Sequence, residues 1–229
     1  MKILIFSDLH GRVDNILPIF KNNIYDEYIF AGDFFGYFKG GKEVIELFIE
    51  YNVKFILGNH DLYFLREIDP IWFKSKFNNL DINLISSEDY DKRYGQLYHS
   101  IPEITSFDID FIKKANLTTR FCIDNLDVLV CHGNPQNPFD GYIYPDYEHF
   151  DDLFNNNKFD VLILGHTHKS YIQKYDNRFI LNPGSCTLPR GNDLPSYIVF
   201  DTKEKSAIIH IIDQKINFVR ETKNKLKLT

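Results

Sequence analysis

The stretch FDVLILGHTH, Phe159 to His168, decides how the rest of the chain is read. Val161 to Leu164 has no polar member, the pattern of a strand covered on both faces. Gly165 then permits a sharp exit that delivers His166, Thr167 and His168 just past the strand end. In an extended turn residues i and i+2 point the same way, so the two imidazoles are expected to reach neighbouring points of one pocket. Imidazole is the commonest transition-metal ligand, which sets metal binding against the plainer alternative of two solvated loop histidines.

Four further strand ends repeat the design. Met1 to Phe6 is a second apolar run, and it opens into Ser7, Asp8, Leu9, His10 and Gly11. Asp14 or Asn15 then reads as a helix cap, with Pro18 in or near the first turn. Tyr28 to Ala31 closes with Gly32 and Asp33 and is followed by a helix over Lys42 to Tyr51, with Val44, Leu47 and Phe48 on one face. Val53 to Leu57 runs into Gly58, Asn59, His60 and Asp61. Thr119 to Ile123 and Asp127 to Val130 read as a hairpin turning at Asp124-Asn125, and its second arm ends in Cys131, His132 and Gly133. In sheets whose strands are linked by helices, such ends gather on one side, where these folds place their chemistry.

Carboxylate, imidazole and amide oxygen together suit manganese, iron, zinc, cobalt or nickel. Asp8, His10, Asp33, Asn59, His132, His166 and His168 are too many for one ion with open positions. They suit two ions roughly 3.5–4 Å apart bridged by a carboxylate, an arrangement that clamps the attacking and leaving oxygens in phosphoryl transfer.

The remainder sets bounds. A chain of 229 residues, 44% hydrophobic and 16% aromatic, fits one large domain over residues 1–229. No apolar run approaches the roughly 20 residues that span a bilayer, and MKILIFSDLH lacks a signal-peptide cleavage site, so a cytoplasmic protein with no membrane partner is expected. A net charge of -6 argues against holding a long nucleic acid, although Gln214 to Thr229 carries five Lys or Arg and one Glu as a basic tail. Cys122, Cys131 and Cys186 suggest neither a disulfide framework nor a Cys-x-x-Cys zinc site. Residues 62–116 are rich in aromatics and helix-like over 62–77 and 109–115, with breakers at Pro70 and Pro102. They read as a helical cover over one sheet edge, overhanging the site. His99, His149 and His210 read as ordinary polar residues. Residues 134–146 form a loop of Pro, Gly and aromatics that is a candidate lid or substrate wall. Tyr147 to Asn155 reads as a helix. A short strand, Arg178 to Leu181, leads into Asn182-Pro183-Gly184-Ser185 and a loop with Arg190, whose fork suits a phosphate oxygen and makes it the substrate-binding candidate. Ser196 to Phe200 and Ala207 to Ile212 close the chain as a hairpin.

Asp8-Leu9-His10, Gly32-Asp33, Gly58-Asn59-His60-Asp61, His132-Gly133 and Gly165-His166-Thr167-His168 together resemble the motifs of the calcineurin-like metallophosphoesterases, and they span nearly the whole chain. The resemblance implies an α/β fold of αββα type, two mixed sheets flanked by helices. It implies one ion held by Asp8, His10, Asp33 and His168 and another by Asp33, Asn59, His132 and His166, with Asp33 as the bridge. In that family a metal-bridging hydroxide attacks phosphorus, and the histidine matching His60 protonates the leaving oxygen, oriented by the acid matching Asp61. Two divalent transition-metal ions are therefore expected, manganese first, with iron, zinc, cobalt or nickel as alternatives.

Gly32-Asp33-Phe34-Phe35-Gly36-Tyr37 lacks the arginine of Gly-Asp-x-x-Asp-Arg-Gly, which counts against protein serine/threonine phosphatases and their dinucleotide-cleaving relatives. Asn182-Pro183-Gly184-Ser185 resembles the small YfcE-like phosphodiesterase branch, whose members often carry cysteine where His60 stands. The expected substrate is a small phosphodiester or related nucleotide phosphoester, and a homo-oligomer is left open. Two alternatives remain. A non-catalytic scaffold of the same fold, as in a retromer subunit, is opposed by the full ligand set and His60. A nuclease of the same superfamily is opposed by the chain length and acidic balance.

Overall fold

In the computed structural model, which describes residues 1–78, 84–94, 103–156, 158–175, 178–212, 219–221 and 226–227, strand alternation explains the layers. β1 (Lys2–Phe6) sends Ile3 and Ile5 into one apolar layer and Leu4 and Phe6 into another, so both of its faces are buried. Along the chain follow α1 (Leu17–Asn22), β2 (Glu27–Phe30), α2 (Gly41–Glu50), β3 (Lys54–Phe55), α3 (Asn59–Ile68), α4 (Pro70–Phe77), α5 (Ser87–Tyr94) and α6 (Ser106–Ile112). Then come β4 (Thr118–Ile123), β5 (Leu126–Cys131), α7 (Phe150–Asn156), β6 (Val161–Ile163), β7 (Ser170–Tyr175), β8 (Arg178–Pro183), β9 (Ser196–Asp201), β10 (Ser206–Ile212), β11 (Val219–Glu221) and β12 (Leu226–Lys227).

Two mixed sheets result. One has the order β11-β10-β9-β1-β2-β3, with β12 also on β10, and the other β4-β5-β6-β8-β7. β1, β2 and β3 run parallel, as do β5, β6 and β8, so their C-terminal ends lie on common edges. Between the sheets Ile3, Ile5 and Ala31 meet Val128, Val130, Val161, Ile163 and Leu181. Outside the first sheet Phe6 meets Phe20, Phe30 and Phe48 at ring-centroid distances of 5.4, 5.1 and 5.7 Å. Outside the second, Leu162 and Leu164 pack with Leu153 and Phe159. The αββα architecture is thus the reason that Val161 to Leu164 has no polar residue: Val161 and Ile163 face the other sheet, while Leu162 and Leu164 face the outer layer. Burying each such side chain contributes about 1.5–3 kcal/mol.

Several boundaries follow local chemistry. The helical spacing of 62–77 is broken at Asp69-Pro70, where Asp69 accepts the Trp72 N–H at 3.0 Å and caps α4. The β4–β5 turn places Asp124 and Asn125 at φ 48° and 65°, the pair of left-handed residues that a tight hairpin demands. Other boundaries differ from the sequence reading. The α1 cap is Ile16, without a side-chain bond, because Asn15 instead donates to Cys186 O at 2.7 Å. β7, not expected from sequence, is an edge strand whose Ile172, Gln173 and Lys174 are all half-buried, so it lacks the alternation of a covered strand. The α7 helix begins at Phe150, after His149.

The three cysteines are free. Among the described residues no helix is long and apolar enough to cross a membrane. His99 and Pro102 lie outside the described residues, as does the Gln214 to Thr229 tail apart from β11 and β12.

Candidate metal centre

Asp8 and His10 follow β1, Asp33 follows β2, Asn59 and His60 open α3 after β3, His132 follows β5, and His166 and His168 follow β6. These turns are stitched together by backbone bonds. Asp8 N donates to Gly32 O and His10 N to Asp33 O, both at 3.0 Å, and Gly165 N donates to His132 O at 3.0 Å. The extended geometry expected for the Gly165 to His168 turn is not what forms. His166 and His168 stand at φ 66° and 56°, and Asp8, His10 and Asp33 at 54°, 51° and 69°. Left-handed backbone costs a non-glycine residue roughly 1–2 kcal/mol, so the surrounding structure must impose it. As a result the two histidines part: the His166 ring pairs with His132 at 4.9 Å, and the His168 ring with His10 at 5.0 Å. Gly165 itself is not at positive φ. Its glycine is required by space, since a Cβ there would lie 2.9 Å from Ala31 O and from His132 Nδ1.

The Asn182 to Ser185 motif and its neighbours supply part of the bracing. Asn182 Nδ2 donates to Gly165 O at 2.8 Å and to Thr167 Oγ1 at 3.1 Å. Ser185 Oγ and Thr187 Oγ1 donate to Asp8 O at 2.7 and 3.0 Å. Ser7 Oγ sits 2.5 Å from Asp8 Oδ2 and 2.8 Å from Gly184 O, a position that sequence reading did not single out.

Three imidazoles have their tautomer set by backbone. His10 Nδ1 lies 3.0 Å from Phe35 O, His132 Nδ1 2.7 Å from Ala31 O, and His168 Nδ1 2.5 Å from Leu188 O. A carbonyl only accepts, so each Nδ1 carries the proton and each neutral ring presents an Nε2 lone pair to the interior. His10 Nε2 and His168 Nε2 face each other at 3.2 Å, an arrangement that repels unless a proton or cation lies between them. The ligand atoms of Asp8, His10, Asp33 and His168, all buried, lie within 4.8 Å of one another. On the other side, His132 Nε2 is 3.2 Å from Asp33 Oδ2 and 3.2 Å from Asn59 Oδ1. Asp33 Oδ2 is also 3.9 Å from His10 Nε2, so one carboxylate oxygen faces both groups, while Oδ1 accepts the His60 N–H at 2.9 Å.

Two atoms of the centre are buried and make no hydrogen bond with any described residue: Asp8 Oδ1 and His166 Nε2. Asp8 Oδ1 is 3.2 Å from His168 Nε2 and 4.0 Å from both His10 Nε2 and His132 Nε2. An orphaned buried carboxylate oxygen and an orphaned imidazole nitrogen, aimed among further lone pairs, fit a divalent transition metal.

The electrostatics agree. Burial raises the Asp8 carboxyl, but the facing His168 and His132 imidazoles outweigh it and bring it to about 2. Burial likewise opposes ionisation of Asp33, yet His132 and His60 hold it well below the usual carboxylate range. Burial, with neighbouring imidazoles adding to it, pushes His10 and His166 down to about 3. In His132 the order reverses, because Asp33 and Asp8 overcome burial and raise the ring to about 9. Two buried carboxylates are thus held ionised beside His10 and His166 rings that stay neutral, and the one ring that keeps a second proton, His132, marks where positive charge is called for.

His60 and Asp61 take different positions from each other. Burial lowers the His60 ring to about 4. Its edge meets the His10 ring at 4.7 Å, and its Nδ1 is bonded to the Tyr90 hydroxyl. Asp61 accepts from the backbone N–H groups of Asp33, Phe34, Phe35 and Gly58 at 3.0, 2.7, 3.2 and 2.8 Å. These bonds fix the Asp33 turn and the first turn of α3 together. Arg190 is exposed and reaches the Tyr142 hydroxyl, and its N–H donates to His168 O at 3.2 Å. The Tyr142 ring stacks on His166 at 3.9 Å, which puts the 134–146 loop against the centre.

A domain model described as the calcineurin-like phosphoesterase superfamily domain matches residues 1–205. The chain is 27% identical over 249 aligned residues to MJ0912 of Methanocaldococcus jannaschii, an uncharacterized protein, covering 98% of this chain and 93% of that one. It is 25% identical over 210 residues to the phosphodiesterase MJ0936 of the same organism, covering 90% of this chain and 95% of that one. Among solved structures, the hypothetical protein PH1004 from Pyrococcus horikoshii OT3 shares the fold, with a TM-score of 0.73 at 17% identity over 94% of this chain and 90% of that one.

Proposed function

Because the chain belongs to the calcineurin-like phosphoesterase superfamily, we propose that it is a metal-dependent phosphoesterase acting on small phosphodiesters or related nucleotide phosphoesters. The observation that carries this reading is the set of three imidazoles whose Nδ1 protons are committed to backbone carbonyls while their Nε2 atoms converge on two buried carboxylates. Asp8, His10, Asp33 and His168 would hold one ion. Asp33, Asn59, His132 and His166 would hold a second, with Asp33 common to both. Such ions, manganese by preference, supply a water ionised near neutral pH and positive charge against the phosphoryl oxygens.

The chain's own groups do the rest. Arg190, at the mouth beside Tyr142, takes a non-bridging phosphate oxygen with its guanidinium fork. The water oxygen joins phosphorus and the ester P–O bond breaks. His60 gives the departing oxygen its proton. Asp61 keeps His60 in place by ordering the backbone on which it rides. The phosphodiesterase name of MJ0936 and the absence of the Asp-Arg-Gly arginine both support a diester.

The test is hydrolysis of bis(p-nitrophenyl) phosphate by the purified protein. Activity should vanish on chelation and return with manganese far better than with magnesium, since imidazole-rich sites favour the former. Full activity in protein shown to be free of metal would overturn the proposal.

A further inference from the structure

α5 is short and mostly polar, and Glu88, Asp89 and Lys92 on it are exposed. Tyr90 is wholly buried, its hydroxyl bonded to His60 Nδ1. The contact is built from both sides. The Tyr90 ring packs on Tyr63 at 4.6 Å, one helical turn beyond His60 on α3. Tyr63 Oη accepts the Ile85 N–H at 3.4 Å, and Arg66 Nη1 donates to Ile85 O at 2.9 Å, so the segment leading into α5 is pinned to the helix that carries His60. Ser86 Oγ accepts the Asp89 N–H at 3.1 Å and Ser86 O the Tyr90 N–H at 2.9 Å, which start α5 in register with that anchor. Gly36, at φ 95°, leaves the gap in which the two groups meet. A Cβ there would lie 2.5 Å from His60 Nδ1 and 2.8 Å from Tyr90 Oη.

We propose that Tyr90 is a positioning residue for His60, its hydroxyl holding Nδ1 so that Nε2 is the nitrogen presented to the leaving oxygen. This rests on the phosphoesterase reading above and adds to it a role for the helices between β3 and β4. A phenol oxygen accepts from Nδ1–H whenever that nitrogen is protonated, and the bond turns Nε2 toward the leaving oxygen. Replacing the hydroxyl removes this bond, and with it the restraint that Tyr90 places on which nitrogen holds the proton.

The experiment compares two diesters, methyl p-nitrophenyl phosphate and methyl phenyl phosphate, whose phenolates differ in how badly they need a proton. The proteins are wild type, Tyr90→Phe, His60→Gln and the double variant, all loaded with manganese and checked for equal metal content. Tyr90→Phe keeps the ring and its packing. It should cost roughly 5- to 30-fold more kcat on the phenyl ester than on the nitrophenyl ester, the effect of one well-placed hydrogen bond. In the His60→Gln background the same change should alter that ratio less than about twofold. Ring nitrogen NMR of metal-free protein should show one His60 tautomer, protonated at Nδ1, in wild type and a mixture in Tyr90→Phe. Equal losses on both esters, additivity with His60→Gln, or an unchanged tautomer in Tyr90→Phe would reduce Tyr90 to packing and overturn the proposal. If His60→Gln itself shows no leaving-group dependence, the assignment of His60 as acid falls, and that flat response in the parent variant identifies which idea failed.

Discussion

Metal should stabilise this protein more strongly as the pH rises, and His132 sets the slope. In the metal-free protein burial lowers this ring, but Asp33 and Asp8 raise it to about 9, against an ordinary value of 6.5. A group raised on folding contributes stability that is fully present below 6.5 and is lost as the pH climbs through 9. The proton it keeps sits on Nε2, because Nδ1–H is committed to Ala31 O at 2.7 Å. An ion bound at Nε2 must displace that proton, so the loaded protein has nothing to lose over the same range. The difference between loaded and metal-free protein should therefore grow by about 1.4 kcal/mol per pH unit between 6.5 and 9. For a chain of this length 1 kcal/mol moves Tm by roughly 2–4 °C, which gives about 3–6 °C of additional metal-induced shift from pH 7 to pH 8. Calorimetric melting at fixed free manganese, from pH 6.5 to 8.5, reads this directly. Asp61, which burial and the Asp33 charge raise to about 8, gives up a further part of a proton once Asp33 is neutralised, so titration in buffers of different ionisation heat should show at least one proton released at pH 7.5. A metal-induced shift that stays constant across this range, or a slope undiminished in His132→Asn, would refute the reasoning.

Arg190→Ala should raise KM roughly 5- to 30-fold and lower kcat less than about threefold, as expected for a fork that binds phosphate without sharing in bond cleavage; steady-state kinetics with unchanged values would show that the arginine serves only Tyr142. Gly165→Ala should cost about 1–3 kcal/mol and weaken metal binding, because the added methyl would lie 2.9 Å from Ala31 O and 3.1 Å from Asp8 Oδ2. Unchanged melting and unchanged metal content in that variant would mean that the turn has slack the close contacts deny.

The parts of the fold legible in the sequence are those fixed by short-range pattern. Val161 to Leu164 reads as doubly covered because alternate residues meet different apolar layers, and Asp124-Asn125 reads as a turn because those two residue types accept left-handed backbone. β7 was not legible. An edge strand with three half-buried residues in a row gives neither a run nor an alternation. Tyr90 was hidden for a related reason. It stands in SEDYDKRY, a segment whose composition is that of a solvated helix, and contacts far back in the chain, Tyr63 and His60 among them, bury it.

The ligand turns mark the boundary between the two kinds of information. Motif spacing brings Asp8, His10, Asp33, His166 and His168 to strand ends, but local preference would leave none of them at positive φ, and all five are. What overrides that preference comes from elsewhere in the chain: Asn182 bonded to Gly165 O, Ser185 and Thr187 bonded to Asp8 O, Asp61 bonded to the Asp33 turn. Asp8 and Asp33 follow strands of the first sheet, whereas Gly165 and Asn182 belong to the second. The convergence of Nε2 atoms is therefore a property of the two sheets docked together. Either sheet alone would keep the Asp61 and Asn182 bonds made within it but lose those of Ser185 and Thr187 to Asp8 O, and with them the facing His10 and His168 lone pairs that fit a metal.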